Sequence, residues 1–67
     1  MTTGVTAKSD RQKVLDVEAT ISTLGSISRN YERLAHTSGP DTPMGQYLVG
    51  KGTAYQIAVD YLKEAIA

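Results

Sequence analysis

A glycine–proline pair at residues 39 and 40 divides this chain into two segments that carry apolar residues at helical spacing. In each segment the apolar positions recur in steps of mostly three or four, which places them on one stripe of a helix. Neither glycine nor proline continues a helix well, so the pair marks a turn. The pattern predicts an all-α, antiparallel two-helix hairpin, with a helix over about residues 9–36, a turn over 37–42 and a helix over about 43–66.

Capping residues mark the expected start of both helices. Ser9 and Gln12 fit a capping box, in which the serine hydroxyl accepts from the Gln12 N–H and the glutamine side chain reaches back. Thr42 before Pro43 offers a cap with proline at the first helical position. Thr53 opens a second capping box that would restart the helix if the glycines broke it, although one continuous helix is the prediction. Residues 1–8 are small, threonine-rich and aperiodic, which predicts a flexible tail.

The segment Gly45–Thr53 nearly matches a phosphate-binding loop, with Gly52 where that pattern has serine or threonine. Its Gly-Lys-Gly-Thr ending resembles the form of this loop in adenylate kinases. That resemblance implies nucleotide binding, with Lys51 on the outer phosphates and the Thr53 hydroxyl on magnesium. However, the preceding residues contain no strand pattern, the residues inside the loop are bulky, and the chain is too short for a parallel sheet. Nucleotide binding is therefore the weaker alternative.

Close helix packing is the preferred explanation of the glycines, since small residues let helix backbones approach. A turn centred near Gly39 predicts which residues face each other across the hairpin. The expected pairs are Gly25 with Gly52 or Thr53, Ser28 with Gly50, Ile21 with Ile57, Val17 with Tyr61, and Tyr31 with Tyr47. On this basis leucine at Gly25 or at Gly52 is expected to force the helices apart.

Composition excludes several function classes. The chain has no cysteine, one histidine, and seven basic residues balanced by seven acidic ones. Without cysteine it has no thiolate metal site, and its zero net charge speaks against a regulator that binds nucleic acid, which would need a basic face. No apolar run approaches the ~20 residues that a membrane span needs. His36 and Asp41 suit turn or capping roles, and no catalytic set can be assembled. We expect no enzyme activity, cofactor, metal or small-molecule substrate.

A protein partner is the main functional expectation. A chain of 67 residues without disulfides or metal gains little from its own core. Residues 19–28 carry no charge, and only Lys51 interrupts the uncharged run 42–59. We predict a small structural or interaction subunit that acts by occupying a surface, either as a homo-oligomeric helical bundle or on a host protein. The predicted packing and partner interface comprises Val17, Ile21, Leu24, Gly25, Ile27, Ser28, Tyr31, Leu48, Gly50, Gly52, Tyr55, Val59 and Leu62.

In size and composition the chain resembles short accessory proteins of bacteriophages that infect actinobacteria. That resemblance implies an accessory protein or inhibitor of a host protein. The N-terminal residues lack the charged-then-apolar layout of a secretory signal. We therefore expect a cytoplasmic protein, or one in the host cytoplasm or the virion if it is viral.

Overall fold

The computed structural model describes residues 9–67, which form two antiparallel helices. Helix α1 runs from Asp10 to Ser38 and helix α2 from Pro43 to Ile66, joined by residues 39–42. The predicted all-α hairpin is confirmed, and the described residues contain no strand. The tail expected over residues 1–8 lies outside the described residues.

Helix α1 begins at a serine cap. The Gln12 backbone N–H donates to the Ser9 hydroxyl at 3.0 Å, as the capping box requires. The returning half of the box is not formed, because the Gln12 side-chain amide donates to the Asp16 carboxylate at 2.9 Å. The charge on this acceptor strengthens the hydrogen bond and directs the glutamine side chain along the helix, away from the Ser9 N–H to which it would otherwise reach back. The start of α1 was therefore predicted correctly, but the role of the Gln12 side chain was not.

The turn is held by one glycine in the left-handed region and one threonine. Gly39 has φ of 95° and its N–H donates to the His36 carbonyl at 3.3 Å, so α1 continues two residues beyond His36. The Thr42 hydroxyl accepts from the Gly45 N–H at 3.0 Å and lies 2.7 Å from the Gly39 carbonyl, to which it donates. A Cβ atom at Gly45 would overlap that carbonyl. Gly45 therefore lets the turn fold tightly onto the first turn of α2.

Helix α2 is continuous through Gly45, Gly50 and Gly52. Thr53 lies inside the helix and starts no new one. The capping chemistry of Thr42 and the fixed φ of Pro43 start the helix before the glycines are reached. Packing against α1 then offsets the poor helix propensity of the glycines.

The hydrophobic core between the two helices is thin. Within the described residues, Ala35 and Val59 are the only buried apolar side chains apart from glycine, at 2% and 3% exposure. The Cα atoms extend only 13 Å along the shortest principal axis. The hairpin is thus a single layer of helices, whereas globular domains usually enclose a core between at least two layers.

Candidate interaction surface

The two helices approach closely where Ser28 meets Gly52. The Ser28 hydroxyl is buried and donates to the Gly52 carbonyl at 2.9 Å. A Cβ atom at Gly52 would lie 3.3 Å from the Ser28 carbonyl and 3.4 Å from the Cβ of Tyr31. The prediction that small residues permit a close crossing fits this geometry. The predicted partner of Ser28 was wrong: it is Gly52, and not Gly50, because the turn centre lies beyond Gly39.

Gly25 and Gly50 do not take part in this close approach. A Cβ atom at Gly25 would meet only the Arg29 guanidinium at 3.4 Å, and one at Gly50 would meet nothing within 4 Å. Because a Cβ atom at Gly25 would have no atom of Gly52 within 4 Å, the predicted pairing of these two glycines is not found. Gly25 is nevertheless buried, and Arg29 covers it.

Two further predicted pairs were also wrong. Ile57 and Tyr61 were expected to face Ile21 and Val17 across the hairpin. Instead their side chains are 50% and 70% exposed. In the structure the second helix turns Val59 toward α1, and the spacing of a helix then directs Ile57 and Tyr61 away from the crossing.

A cluster of three tyrosines and one lysine lies on one side of the crossing. Tyr31 and Tyr55 stack with ring centroids 5.7 Å apart and an interplanar angle of 15°. The Lys51 Nζ lies 5.7 Å from the Tyr31 ring centroid and 5.5 Å from that of Tyr47. Tyr31 therefore stacks on Tyr55, while it shares the Lys51 ammonium with Tyr47, the residue predicted to lie near it across the hairpin. Lys51 connects Tyr31 and Tyr47 through cation–π contacts.

The tyrosines also stabilise the charged form of Lys51. Its pKa is raised above the ordinary value of 10.5 by the Tyr47 hydroxyl first and by Tyr31 next, against a smaller opposing effect of burial. Lys51 is thus a cation at neutral pH, with its charge directed at aromatic rings. Lys51 is the one charged residue of the segment 42–59.

Helical spacing extends this cluster into a continuous surface, which we call the tyrosine face. Residues three, four or seven apart share one side of a helix. On α1 the residues at this spacing from Tyr31 are uncharged from Thr20 to Leu34, which is nearly four turns. On α2 the residues at this spacing from Lys51 are uncharged from Tyr47 to Leu62. The tyrosine face comprises Thr20, Ile27, Tyr31, Leu34, Tyr47, Lys51, Ala54, Ala58 and Leu62.

The opposite side of the hairpin, which we call the charged face, carries Arg29 and Lys63 together with further charged residues at helical spacing from the groove between the helices. A shallow groove runs along it between the helices, with Arg29 and Lys63 among its lining residues. The groove is lined by Ile21, Ser22, Gly25, Arg29, Gln56, Val59 and Lys63. On α1, Glu18 and Arg11 lie seven and fourteen residues before Gly25, and His36 lies seven residues after Arg29. On α2, Asp60 lies three residues before Lys63. The two broad sides of the hairpin therefore differ strongly in polarity.

The predicted interface residues fall into three classes of burial in the hairpin. Gly25, Ser28, Gly52 and Val59 are buried, and Gly50 is exposed. The others are half-buried: Val17, Ile21, Leu24, Ile27, Tyr31, Leu48, Tyr55 and Leu62. Half-burial means that these side chains still present part of their surface. Their contact with a partner stays a prediction.

Sequence reasoning missed the role of Gly45 and the difference between the two sides, and it left Ala35 out of the predicted interface although Ala35 fits the apolar stripe of α1. Ala35 is as buried as Val59, and Gly45 is buried under the turn. A signal for the two sides was present in the spacing of the α1 charges, since Glu18, Arg29 and His36 share one face of a helix. Their position relative to Lys51 and the tyrosines required the register of the hairpin.

The Gly45–Thr53 segment has helical geometry and not that of a loop. In a phosphate-binding loop the backbone N–H groups are free to surround the phosphates. Here they lie within a helix, and the Lys51 ammonium is directed at tyrosine rings. This arrangement favours the packing explanation of the glycines.

Among residues 9–67 no three His, Asp or Glu side chains are grouped so that they could hold a metal ion. Neither described helix is long and apolar enough to cross a membrane. The fold and surface together define a two-helix hairpin with one aromatic, weakly charged side. In comparisons with known proteins, no family model, curated protein or solved structure matches the chain.

Proposed function

We propose that this protein is a small structural or interaction subunit, without enzymatic activity, that works by covering a protein surface with its tyrosine face. The observation that carries the proposal is the imbalance between buried and exposed apolar residues. Among the described residues two apolar side chains are buried, whereas eight large ones are exposed by 42% or more, and Leu34 and Tyr47 of the tyrosine face are two of these eight. Such exposed apolar surface marks interaction sites in small proteins.

The residues of the tyrosine face are suited to protein contact. Tyrosine is enriched at interface hot spots because it combines a large apolar ring with a polar hydroxyl. Tyr47 is 58% exposed and Leu34 48% exposed, so both offer apolar area to a partner. Charged residues are depleted in interface cores, and this face carries only Lys51 among its nine residues.

Site-specific photocrosslinking in the native cell tests this proposal. A photoreactive phenylalanine analogue replaces Tyr47 on the tyrosine face, and the matched control places it at Ser22 on the charged face. We expect covalent products with protein at position 47 that are absent at position 22. A product of twice the 7.2 kDa chain mass identifies a second copy, and any other mass identifies a different protein, as for an accessory protein on a host target. Absence of products at position 47, or equal products at both positions, would contradict the proposal.

A further inference from the structure

We infer that the tyrosine face is covered by the tyrosine face of a second copy of this chain, giving a two-fold symmetric four-helix bundle. This inference rests on the proposed function and names its partner. In a two-fold dimer the same patch serves both subunits, so the patch must tolerate contact with itself. The area, charge and layer structure of the hairpin meet that requirement.

The whole side of the hairpin that carries the tyrosine face has about the area that a stable dimer needs. The 24 residues of α2 overlap α1 along about 36 Å at 1.5 Å per residue. Two helices at the usual axial separation of 8–10 Å present a face about 20 Å wide. The resulting footprint of roughly 700 Å² is close to the ~800 Å² that each partner buries in a standard interface.

The charge distribution permits self-contact. The chain has no net charge, so two copies do not repel each other over long range. The one cation of the tyrosine face, Lys51, rests on the rings of its own Tyr31 and Tyr47. If the two-fold axis passes near Ala54, the two Lys51 residues are displaced along antiparallel α2 helices by about 9 Å. Each ammonium then keeps its own aromatic contacts without meeting its symmetry mate.

A second hairpin also supplies the missing layer. The described chain forms one layer of helices with two buried apolar side chains. Packing two such layers face to face encloses the half-buried Ile27, Tyr31 and Leu62 in a core of four helices. The charged faces then lie outward on both sides of the bundle.

Sedimentation equilibrium of the purified full-length chain tests this inference, with arginine placed at two positions of the tyrosine face. Leu34→Arg changes α1, and Ala54→Arg changes an exposed position of α2. Leu15→Arg is the matched control for the first, since Leu15 is 44% exposed and Leu34 is 48% exposed on the same helix. Thr53→Arg is the control for the second. Circular dichroism of every variant establishes that its helices are formed.

We expect the parent chain to sediment with twice the mass of 7.2 kDa at micromolar concentration. Each tyrosine-face arginine should weaken dimerisation at least about tenfold, whereas the two controls should leave it unchanged. A parent that remains a folded monomer up to ~1 mM would overturn self-association, while the photocrosslinking result would still decide the proposed function. Equal weakening by the controls would overturn the assignment of the face, and a mass larger than that of a dimer would overturn the two-fold arrangement.

Discussion

At the scale of single residues, the glycines of this chain have different roles although the sequence presents them alike. Gly39 adopts a positive φ, Gly45 makes room for the turn, and Gly52 makes room for α1. Gly25 and Gly50 have no backbone of the other helix near the position of a Cβ atom. Substitutions at these positions should therefore differ in sign.

Leucine at Gly52 should lower the free energy of unfolding by about 1–3 kcal/mol, because the side chain would meet the Ser28 backbone and Tyr31. Leucine at Gly25 should cause no comparable loss, since only the flexible end of Arg29 must move. Urea unfolding followed by circular dichroism at one protein concentration measures both values. Similar losses in the two variants would show that the crossing includes Gly25, as the sequence alone suggests.

Alanine at Gly45 should also lower the free energy of unfolding by roughly 1–3 kcal/mol, because its Cβ would force the Gly39 carbonyl to move. Alanine at Gly50 should raise it by about 0.8–1 kcal/mol, the gain in helix propensity at an open position. Thermal unfolding of the two variants compares them directly. A loss of stability in Gly50→Ala would indicate that a partner covers Gly50.

At the scale of the elements, each helix begins where a hydroxyl side chain accepts from a free backbone N–H. Ser9 does so for α1 and Thr42 for α2. These caps were predictable because they depend on residues three positions apart along the chain. The second capping box, at Thr53, starts no helix, because α2 has already begun at Pro43 and continues through Thr53. Residues three positions apart therefore do not by themselves show where a helix begins.

Thr42→Ala should lower the free energy of unfolding by about 1 kcal/mol, because the Gly45 N–H loses its acceptor. Thr53→Ala should be neutral or stabilising by up to ~0.7 kcal/mol, since alanine is the better residue inside a helix. Chemical unfolding of both variants under the same conditions makes the comparison. If Thr53→Ala costs as much as Thr42→Ala, then α2 begins anew at Thr53.

At the scale of the whole molecule, stability depends on contacts that the turn brings together. The buried Ser28 hydrogen bond, the stack of Tyr31 on Tyr55 and the position of Lys51 all join α1 to α2. With two buried apolar side chains, the hairpin relies on these contacts more than a domain with a larger core does. The Lys51 contact has a dependence on pH that can be measured.

The raised pKa of Lys51 means that the folded chain holds this proton more tightly than the unfolded chain does. Its stabilising contribution should be fully present below the ordinary value of 10.5 and should disappear as pH rises through the higher pKa of the folded state. The difference in unfolding free energy between the parent and Lys51→Met, measured from pH 8 to pH 12, should therefore shrink at the alkaline end. Lys63→Met on the charged face is the control. A difference that stays constant with pH, or that matches the control, would show that the tyrosines do not stabilise the Lys51 charge.

The sequence by itself determined the class of fold, both helix starts and the place of the turn. These features depend on apolar spacing, caps and turn residues that act within a few positions of each other. The tertiary structure alone decided that Ser28 meets Gly52, that Tyr31 stacks on Tyr55, and that the tyrosine and charged faces lie on opposite sides. The physical reason is that helical stripes repeat every three or four residues, so several registers bring apolar side chains together. The geometry of the turn at Gly39 and Gly45 selects one of them.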